Sequence, residues 1–299
     1  MTKAELHVHL EGSIEPATLL HIDPTLTLAE IESHTTYNTF EGFLRAYVWV
    51  NRRLSTPEHY ALATRDLLTR LAQQNVRYAE ITLSAGVILW KQQDLTAIYE
   101  AIRGESLRAP FPVFWILDAV RQFGADAGMD VARFAVENRD HGVIAFGIGG
   151  DEKGGPAVWF HDVFRFSREG GLRLVCHAGE TAGPESIWAA LHIGAERIGH
   201  GITAVADAAL LRHLRDHRIP LEISITSNVC TGVVARIEDH PVRRIFDAGV
   251  PLILNTDDPA LFHTSLDNEY RIAAEVFGFT PEELEQCAAN SFEYGFSKC

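Results

Sequence analysis

Residues 143–176, VIAFGIGGDEKGGPAVWFHDVFRFSREGGLRLVC, contain the pattern that determines the fold. An apolar run, Val143–Ile148, is followed by a segment of helical periodicity, Ala157–Glu169, and then by a second apolar run, Leu172–Cys176. Apolar runs without polar alternation are typical of strands buried on both faces. The Gly170-Gly171 pair suits the left-handed residue at which a helix ends. The stretch therefore predicts a strand–helix–strand unit with parallel strands.

Runs of the same kind recur along the whole chain. Eight of them predict strands, namely Ala4–Leu10, Val76–Leu83, Pro112–Val120, Val143–Ile148, Leu172–Cys176, Arg197–Gly199, Ile219–Ile225 and Val250–Leu254. Helical periodicity marks the segments between them, among which are Pro57–Gln74, Met129–Arg139, Ala157–Glu169, Pro184–Ile193 and Asp207–His217. Eight strand–helix units in about 250 residues match a closed α/β barrel of the (β/α)8 TIM type. The rival fold, an open doubly wound sheet, lacks its G-x-G-x-x-G signature after the first strand.

We expect a single domain over residues 1–299, because the sequence has no linker-like tract, internal repeat or shift in composition. The longest insertion, residues 23–54, follows the first strand and contains Phe40, Phe43, Tyr47 and Trp49. In a barrel this insertion would lie over the mouth as a helical lid. Alternatively, the aromatic side chains simply pack the helices of the insertion down.

The composition limits the classes of partner. The chain has 26 Lys and Arg against 40 Asp and Glu, a net charge of −14. An acidic surface repels phosphate, so neither nucleic acid nor an anionic membrane is an expected partner. No uncharged apolar window approaches the length that crosses a bilayer. A small-molecule ligand is the partner that these properties leave open, and they carry no signal for the oligomeric state.

The cysteines and the first residues predict the compartment. Cys176, Cys230, Cys287 and Cys299 form no C-x-x-C pair and have no regular spacing. Such scatter predicts reduced thiols rather than a disulfide framework. The first seven residues lack the apolar stretch of a secretory signal. We therefore expect a cytoplasmic protein.

Residues that could carry chemistry follow several predicted strands. His7 and His9 are two residues apart in the first strand, so both point to the barrel interior. His177 follows the fifth strand, His200 the sixth and Asp257 the eighth. Active sites of such barrels form where the strands end, and closure places the first strand beside the eighth. Imidazoles and a carboxylate that converge there suit Zn²⁺, or less selectively Fe²⁺, Co²⁺ or Ni²⁺.

Each feature also has an explanation without a metal. An H-x-H pair arises by chance in a chain with 14 His, and Asp257-Asp258 could be a turn or a cap. Glu180, three residues beyond His177, could exchange a proton beside a metal-bound water, or could be a helix N-terminal acid. The coincidence of these residues at strand ends favours the metal site. The remaining histidines are expected at the surface or as caps, namely His21, His34, His59, His141, His161, His192, His213, His217, His240 and His263.

Six motifs resemble, in order, the signatures of the adenosine deaminase family. They are His7-Val8-His9-Leu10-Glu11-Gly12, Gly150-Asp151-Glu152, His177-Ala178-Gly179-Glu180, Arg197-Ile198-Gly199-His200-Gly201, Thr226-Ser227-Asn228 and Asn255-Thr256-Asp257-Asp258-Pro259. Any one of them is weak, whereas six in the family's order across nearly the whole chain are highly specific. The resemblance implies a zinc-dependent barrel that replaces the 6-amino group of a purine by hydroxyl and releases ammonia.

The resemblance also implies the role of each residue. One Zn²⁺ per chain would be held by His7, His9, His177 and Asp257. As catalytic residues, Glu180 would pass a proton to purine N1, His200 would orient or deprotonate the zinc-bound water, and Asp258 would hydrogen-bond N7. The backbone at Gly150 would meet N3. The unrelated zinc deaminases that act on flipped bases carry P-C-x-x-C, and this chain has no C-x-x-C.

Glu11 departs from the family's usual pattern. Adenosine deaminases usually carry Asp there, which contacts the ribose 5′-hydroxyl. Glu resembles the branches that act on adenine and on aminodeoxyfutalosine, a menaquinone precursor. With adenosine, Glu11 would accept a hydrogen bond from the 5′-hydroxyl. With aminodeoxyfutalosine, it would bond a ribose hydroxyl or a protein donor, and Arg45, Arg52 or Arg53 would meet the benzoate.

The sequence thus favours a zinc-dependent aminohydrolase of a 6-aminopurine nucleoside, with aminodeoxyfutalosine deaminase and then adenine deaminase as alternatives. A metal-dependent amide or ester hydrolase is a second class. Many of those enzymes hold two metals bridged by a modified Lys after the fourth strand, where this chain has Gly149-Gly150-Asp151. A nucleoside-binding barrel without turnover is a third class, and it would need neither the metal ligands nor Glu180.

Overall fold

The structure is a computed structural model, which describes residues 1–297 as an eight-stranded parallel sheet surrounded by helices. The strands are β1 (Lys3–His9), β2 (Val76–Leu83), β3 (Val113–Val120), β4 (Val143–Gly149), β5 (Arg173–Ala178), β6 (Arg197–His200), β7 (Leu221–Ile223) and β8 (Leu252–Leu254). Each strand pairs in parallel with the next along the chain. The predicted (β/α)8 architecture is confirmed.

The helices alternate with the strands. They are α1 (Pro16–Ile22), α2 (Leu28–Thr35), α3 (Phe40–Asn51), α4 (Pro57–Gln73), α5 (Ala85–Trp90), α6 (Leu95–Ser106), α7 (Gly124–Glu137), α8 (His161–Glu169), α9 (Pro184–Ile193), α10 (Ala208–Asp216), α11 (Ile225–Cys230), α12 (Val242–Asp247), α13 (Leu266–Glu275) and α14 (Pro281–Glu293). Four of them, α1, α4, α9 and α14, begin at a proline. Proline suits this position because the first N–H groups of a helix have no partner within it.

Asp257 closes the barrel between the last strand and the first. Its N–H donates to the carbonyl of His7 at 2.9 Å, and its carbonyl accepts from the N–H of His9 at 2.8 Å. Val8 and Asp257 form an isolated parallel bridge at this point. The closure that the sequence predicted therefore runs directly through the candidate site.

The seventh and eighth strands are shorter than the sequence predicts. They begin at Leu221 and Leu252, directly after Pro220 and Pro251. A proline has no N–H to donate to a neighbouring strand, so each ladder starts at the residue after its proline, two residues later than predicted. The proline carbonyls still accept, since Leu221 donates to that of Pro251 at 3.0 Å.

The insertion after β1 forms α2 and α3, and its aromatic residues pack it against the barrel. The Phe43 ring lies 5.1 Å from that of Phe262, and the Tyr47 hydroxyl is 2.7 Å from Ser84 Oγ. Phe43 and Tyr47 also line the cavity described below. These aromatics therefore pack the insertion against the barrel and also border the cavity, while the action of residues 23–54 as a lid stays a prediction.

The described cysteines, Cys176, Cys230 and Cys287, are free thiols, in agreement with the expectation. Cys299 lies outside the described residues. Within residues 1–297 no helix combines the length and the apolar character needed to cross a bilayer.

Candidate metal and active site

Four potential metal ligands meet at the carboxyl end of the barrel. His7 and His9 come from β1, His177 from β5, and Asp257 from the segment after β8. One ligand atom from each residue lies within 4.8 Å of the other three. Three of the residues are buried, and the side chain of His177 is 13% exposed. The structure thus brings together the four residues that the sequence indicated as ligands.

Three of the six distances between these atoms are close to those around a small tetrahedral cation. His9 Nε2 lies 3.1 Å from His177 Nε2 and 3.3 Å from Asp257 Oδ1, and His7 Nε2 lies 3.4 Å from the same Oδ1. Ligands at about 2.0–2.1 Å from a zinc ion would be about 3.3–3.4 Å apart at tetrahedral angles. His7 Nε2 is buried without a hydrogen-bond partner, a costly state that a bound cation would relieve. The group therefore fits Zn²⁺.

His7 and His177 each make a hydrogen bond through Nδ1, which leaves Nε2 free for a metal. His7 Nδ1 is 2.8 Å from Glu222 Oε2, and His177 Nδ1 is 3.1 Å from the Ile148 carbonyl oxygen. Both partners are acceptors, so the proton of each ring sits on Nδ1. Burial lowers the pKa of His177 well below its usual value and the pKa of His9 to about 4, whereas at His7 the carboxylates of Asp257 and Glu222 outweigh burial and raise the pKa, so that a cation bound there would replace a proton. Neutral imidazoles are the form that ligates metals.

Glu222 is itself fixed by a buried cation inside the barrel. Its Oε1 accepts from Arg197 Nε at 2.5 Å, and Arg197 Nη2 lies 2.6 Å from Glu80 Oε2. Burial tends to raise the pKa of Glu222, but Arg197 and His7 outweigh it and lower that pKa below its usual value. Glu222 therefore stays ionised and holds the His7 ring in place.

Two residues of the site adopt an uncommon backbone conformation. His200 and Asp257 both have a φ of 63°, in the left-handed region. Such a conformation costs a non-glycine residue about 1–3 kcal/mol and is concentrated at functional sites. Ser227 Oγ donates to Asp257 Oδ2 at 2.7 Å, so that Oδ1 is left to face the imidazoles. Backbone pairing and this hydrogen bond together hold the Asp257 carboxylate.

Glu180 sits on a turn that Glu152 organises. The Glu152 carboxylate accepts hydrogen bonds from the N–H groups of Gly179 at 3.1 Å, Glu180 at 2.9 Å and Ala182 at 3.2 Å. Three donors on one carboxylate fix the turn strongly, because hydrogen bonds to a charged group are the stronger ones. The direction in which Glu180 points is therefore set by Glu152, the last residue of the Gly150-Asp151-Glu152 motif.

The Glu180 carboxyl itself faces the cavity, and its Oε2 lies 3.8 Å from His200 Nε2. Burial, followed by the charges of Asp257 and Glu152, raises the pKa of Glu180 well above its usual value. A carboxyl kept protonated near neutral pH can donate to a ligand. The helix that follows, α9, begins only at Pro184, so Glu180 is not an acid of its first turn.

Asp258 completes the polar end of the cavity. Its Oδ1 is buried without a hydrogen-bond partner, and burial followed by the charge of Asp257 raises its pKa well above the usual value. A side chain at Gly12 would overlap the Asp258 carboxyl, which explains the glycine there. Burial also lowers the pKa of His200 to about 4, so this ring is neutral.

These residues border a cavity of about 260 Å³. Its polar lining includes His9, His177, Glu180, His200, Asp257, Asp258 and the backbone of Gly149 and Gly150. The apolar lining comes from Phe40, Phe43, Leu44, Val48, Val87, Val120 and Phe123. The cavity thus has a reactive end beside the metal ligands and an apolar wall built largely by α3. None of the residues described as lining it is Lys or Arg.

Glu11 lies behind the cavity wall rather than on it. Its buried carboxyl accepts from the N–H of Ser84 at 3.0 Å and from the hydroxyl of Tyr47 at 3.3 Å. Ser84 and Tyr47 line the cavity, whereas Glu11 does not. Of the two arrangements considered from the sequence, the structure has Glu11 bonded to protein donors.

The arginines expected near a substrate benzoate are directed elsewhere. Arg45 Nη1 pairs with Glu41 at 2.9 Å on the exposed face of α3, and the Arg53 guanidinium lies 3.6 Å over the Trp49 ring. Arg52 borders the groove between α2 and α3 instead of the cavity. None of the three arginines lines the cavity in this structure, so a contact of one of them with a benzoate stays a prediction.

Three contributors to the site were not found from the sequence. Asp118 lines the cavity with its Oδ2 at 3.9 Å from His177 Nδ1, Glu222 holds His7, and Arg121 Nη2 donates to the His177 carbonyl at 2.5 Å. Asp118 and Glu222 are the acidic residues inside the apolar runs of the third and seventh strands. A charged residue inside such a run was the signal that could have found them.

Comparison with known proteins agrees with this geometry. The sequence profile of the family described as adenosine deaminase matches residues 2–298. An aminodeoxyfutalosine deaminase of Streptomyces avermitilis is 38% identical over 99% of this chain and 87% of its own length. An adenosine deaminase of Serratia proteamaculans is 35% identical over 98% of this chain and 93% of its own. The crystal structure of an adenine deaminase from Arthrobacter aurescens superposes with a TM-score of 0.92 at 26% identity, covering 99% and 94% of the two chains.

The fold and the site together define a (β/α)8 hydrolytic deaminase of the amidohydrolase type. The chain belongs to the adenosine deaminase family.

Proposed function

We propose that this protein catalyses the zinc-dependent hydrolytic deamination of a 6-aminopurine nucleoside. The observation that carries the proposal is the convergence, on one cavity, of the metal ligands with the buried carboxyl of Glu180, whose pKa burial raises well above its usual value. The matching relatives act, by their names, on adenosine, adenine and aminodeoxyfutalosine, which supports a 6-aminopurine as the common part of the substrate.

One zinc ion per chain would be held by His7, His9, His177 and Asp257. When bound there, zinc supplies a water whose pKa is lowered to about 7, and hence a hydroxide at neutral pH. The residues of the chain do the remaining work. Bulk water must be excluded from the cavity and the purine must be oriented, and the residues of the cavity wall would do both.

Proton transfer to the purine is the role we propose for Glu180. The aromatic C6 resists attack by hydroxide until N1 gains a proton, so the acid must be protonated when substrate binds. The raised pKa of Glu180 provides that form. Asp258, whose pKa is also raised, would donate to N7, and the backbone at Gly150 would meet N3. His200 would orient the attacking oxygen from the opposite side.

The apolar wall supports a nucleoside rather than a free base. Phe43, Leu44 and Phe123 are among the apolar residues that line the cavity together with the metal ligands, and they would contact a substrate group larger than the base. Adenine alone would leave this part to water. With no Lys or Arg on the lining described, a 5′-phosphate is disfavoured. We also propose that residues 23–54 act as the lid of this cavity and that the enzyme is cytoplasmic.

Aminodeoxyfutalosine deamination is the second candidate. Two observations favour it: the Glu11 carboxyl already accepts from Tyr47 and Ser84, and the cavity lining contains Phe40, Phe43 and Phe123, which suit an aromatic 5′ group. One observation disfavours it: none of the residues described as lining the cavity is a Lys or Arg that could pair with the benzoate. Adenosine and aminodeoxyfutalosine share the same reactive end, so the proposed chemistry holds for both.

The test is a deamination panel of adenosine, methylthioadenosine, aminodeoxyfutalosine and adenine, with metal analysis of the same preparation. We expect close to one zinc per chain and ammonia release from nucleosides at higher kcat/KM than from adenine. Two metals per chain would indicate the amide-hydrolase class, although Gly149-Gly150-Asp151 after β4 offers no bridging Lys. Binding of nucleosides without ammonia release would indicate a non-catalytic barrel.

A further inference from the structure

His240 is buried behind His200, away from the cavity. It precedes α12 and is only 4% exposed, whereas the sequence suggested a surface or capping histidine. It does cap, since the N–H of Val242 donates to its Nδ1 at 3.2 Å. Its Nε2 is 3.1 Å from Asn228 Oδ1, and Asn228 Nδ2 is 3.1 Å from His200 Nδ1. A continuous chain of hydrogen bonds thus joins the start of α12 to His200.

The direction of this chain is determined at its far end. A backbone N–H can only donate, so Val242 makes His240 Nδ1 an acceptor. Burial lowers the pKa of His240 to about 3, and the proton of the neutral ring is then on Nε2. That proton requires the oxygen of Asn228 to face His240, and the Asn228 amide N–H to face His200. His200 Nδ1 must accept this N–H, which leaves the proton of neutral His200 on Nε2.

We infer that His240 is a positioning residue, which acts through Asn228 to fix His200 as the tautomer that carries its proton on Nε2, the atom that faces the cavity. This inference rests on the proposed function for its consequence. A His200 of this form donates a hydrogen bond to an oxygen in the cavity and cannot take a proton from it. Of the two roles open for His200, orientation and deprotonation of the attacking water, the chain of hydrogen bonds supports orientation.

The surroundings of His200 Nε2 agree with a donor. Two carboxyl oxygens face this atom, Glu180 Oε2 at 3.8 Å and Asp257 Oδ2 at 3.9 Å, and both residues line the cavity. The opposite tautomer would set the N–H of His200 Nδ1 against the amide N–H of Asn228. Turning the Asn228 amide over would only move that clash to His240, whose Nδ1 is already committed to Val242.

Two substitutions of His240 separate its two hydrogen bonds. His240→Gln places an amide N–H near the position of Nε2 and keeps the donor to Asn228, but it loses the acceptor for Val242. His240→Asn places a side-chain oxygen near the position of Nδ1 and keeps the cap, but it loses the donor. A purely structural role predicts that kcat follows the melting temperature in both variants. The positioning role predicts that kcat is retained in His240→Gln, which keeps the hydrogen-bond donor to Asn228, and falls in His240→Asn, which lacks it.

The direct readout is the ¹⁵N spectrum of the imidazoles in chelator-treated enzyme, with the His200 signals assigned from a His200→Gln variant. We expect His200 of the wild type and of His240→Gln to be protonated on Nε2, and His240→Asn to show a mixture of tautomers. In the zinc-loaded enzyme, His240→Asn should lose about 10–100-fold in kcat, as is typical when outer-shell partners are changed. His240→Gln should retain most of the activity.

Protonation of wild-type His200 on Nδ1, or equal losses of kcat in the two variants, would overturn the inference. The spectrum is independent of turnover. If the tautomer is as inferred but no deaminase activity is found, the proposed function fails and the positioning inference does not.

Discussion

Lowering the pH from 7 to 5 should destabilise the wild-type fold through His240, and His240→Gln should remove that part of the loss. Burial, followed by the charge of His200, lowers the pKa of His240 from 6.5 to about 3. Below pH 6.5 the unfolded chain binds a proton at this ring, which the folded chain does not bind until about pH 3. The neutral ring therefore contributes its full stability above pH 6.5, and this contribution is lost as the pH falls.

The size of the loss follows from the two pKa values. Each unit between the pH and the unfolded pKa costs about 1.4 kcal/mol while the folded ring stays neutral. At pH 5 the loss relative to pH 7 is about 2 kcal/mol, and it approaches about 4–5 kcal/mol near pH 3. Since domains are stable by roughly 5–15 kcal/mol, the effect at pH 5 is readily measured.

The assay is equilibrium unfolding in urea at pH 7 and pH 5, with wild type and His240→Gln both treated with chelator. The other buried histidines titrate in both proteins and cancel in the difference, as does any pH-independent cost of the substitution. The wild type should lose about 2 kcal/mol more than the variant between the two pH values. Equal losses of unfolding free energy in the two proteins would show that His240 is not held neutral. The donor and acceptor roles assigned along the hydrogen-bond chain would then be wrong.

Four further predictions concern the site. Glu180→Gln should keep its zinc while kcat falls by about 10²–10⁴-fold, the usual contribution of general acid–base catalysis; near-native kcat would remove the proton-transfer role. Asp257→Ala should lose metal and activity together, measured by metal analysis and ammonia release, and a fully loaded inactive variant would contradict ligation. Glu222→Gln should weaken zinc affinity by about 10–100-fold, because the His7 ring loses its charged partner, as a competition titration with a chromogenic chelator would measure. Adenosine should exceed 5′-deoxyadenosine in kcat/KM by only about 2–12-fold, because a neutral hydrogen bond from the 5′-hydroxyl to Tyr47 or Ser84 contributes no more than that. Tyr47→Phe should reduce this ratio. A ratio near 100 in the wild type would mean that Glu11 contacts the 5′-hydroxyl directly.

The fold was predictable because its strands are local apolar runs and its helices carry local start signals. Strand β2 and helix α9 have the bounds that the sequence predicts, Val76–Leu83 and Pro184–Ile193. The predicted starts of β7 and β8 are too early because apolar character continues through Pro220 and Pro251 while hydrogen bonding does not, and β7 ends at Ile223 because α11 begins at Ile225. The bounds of a strand are set by its backbone hydrogen bonds to the neighbouring strand, and the polarity of its side chains indicates these bonds only indirectly.

The metal ligands were predictable for a different reason. A closed barrel places every strand end on one rim, so His7, His177 and Asp257 had to be neighbours once the fold was known. The contacts behind them were harder to predict: an acid inside the seventh strand marks Glu222 as unusual, but its partner His7 and the contact of His240 with Asn228 are seen only in the folded chain. Such contacts depend on side-chain directions inside the barrel, for which the sequence contains no periodic signal.

Asp257 takes part both in the closure of the barrel and in the metal group. Asp257 pairs with β1 through its backbone and turns its carboxylate toward His7 and His9 through its left-handed φ. An ion bound by all three would hold the first and last strands together, so the free energy of metal binding would also stabilise the sheet. The precision of the site is therefore a property of the closed sheet. An isolated H-x-H pair therefore does not indicate a metal site. It does so here because the fold places Asp257, from near the other end of the chain, beside His7 and His9.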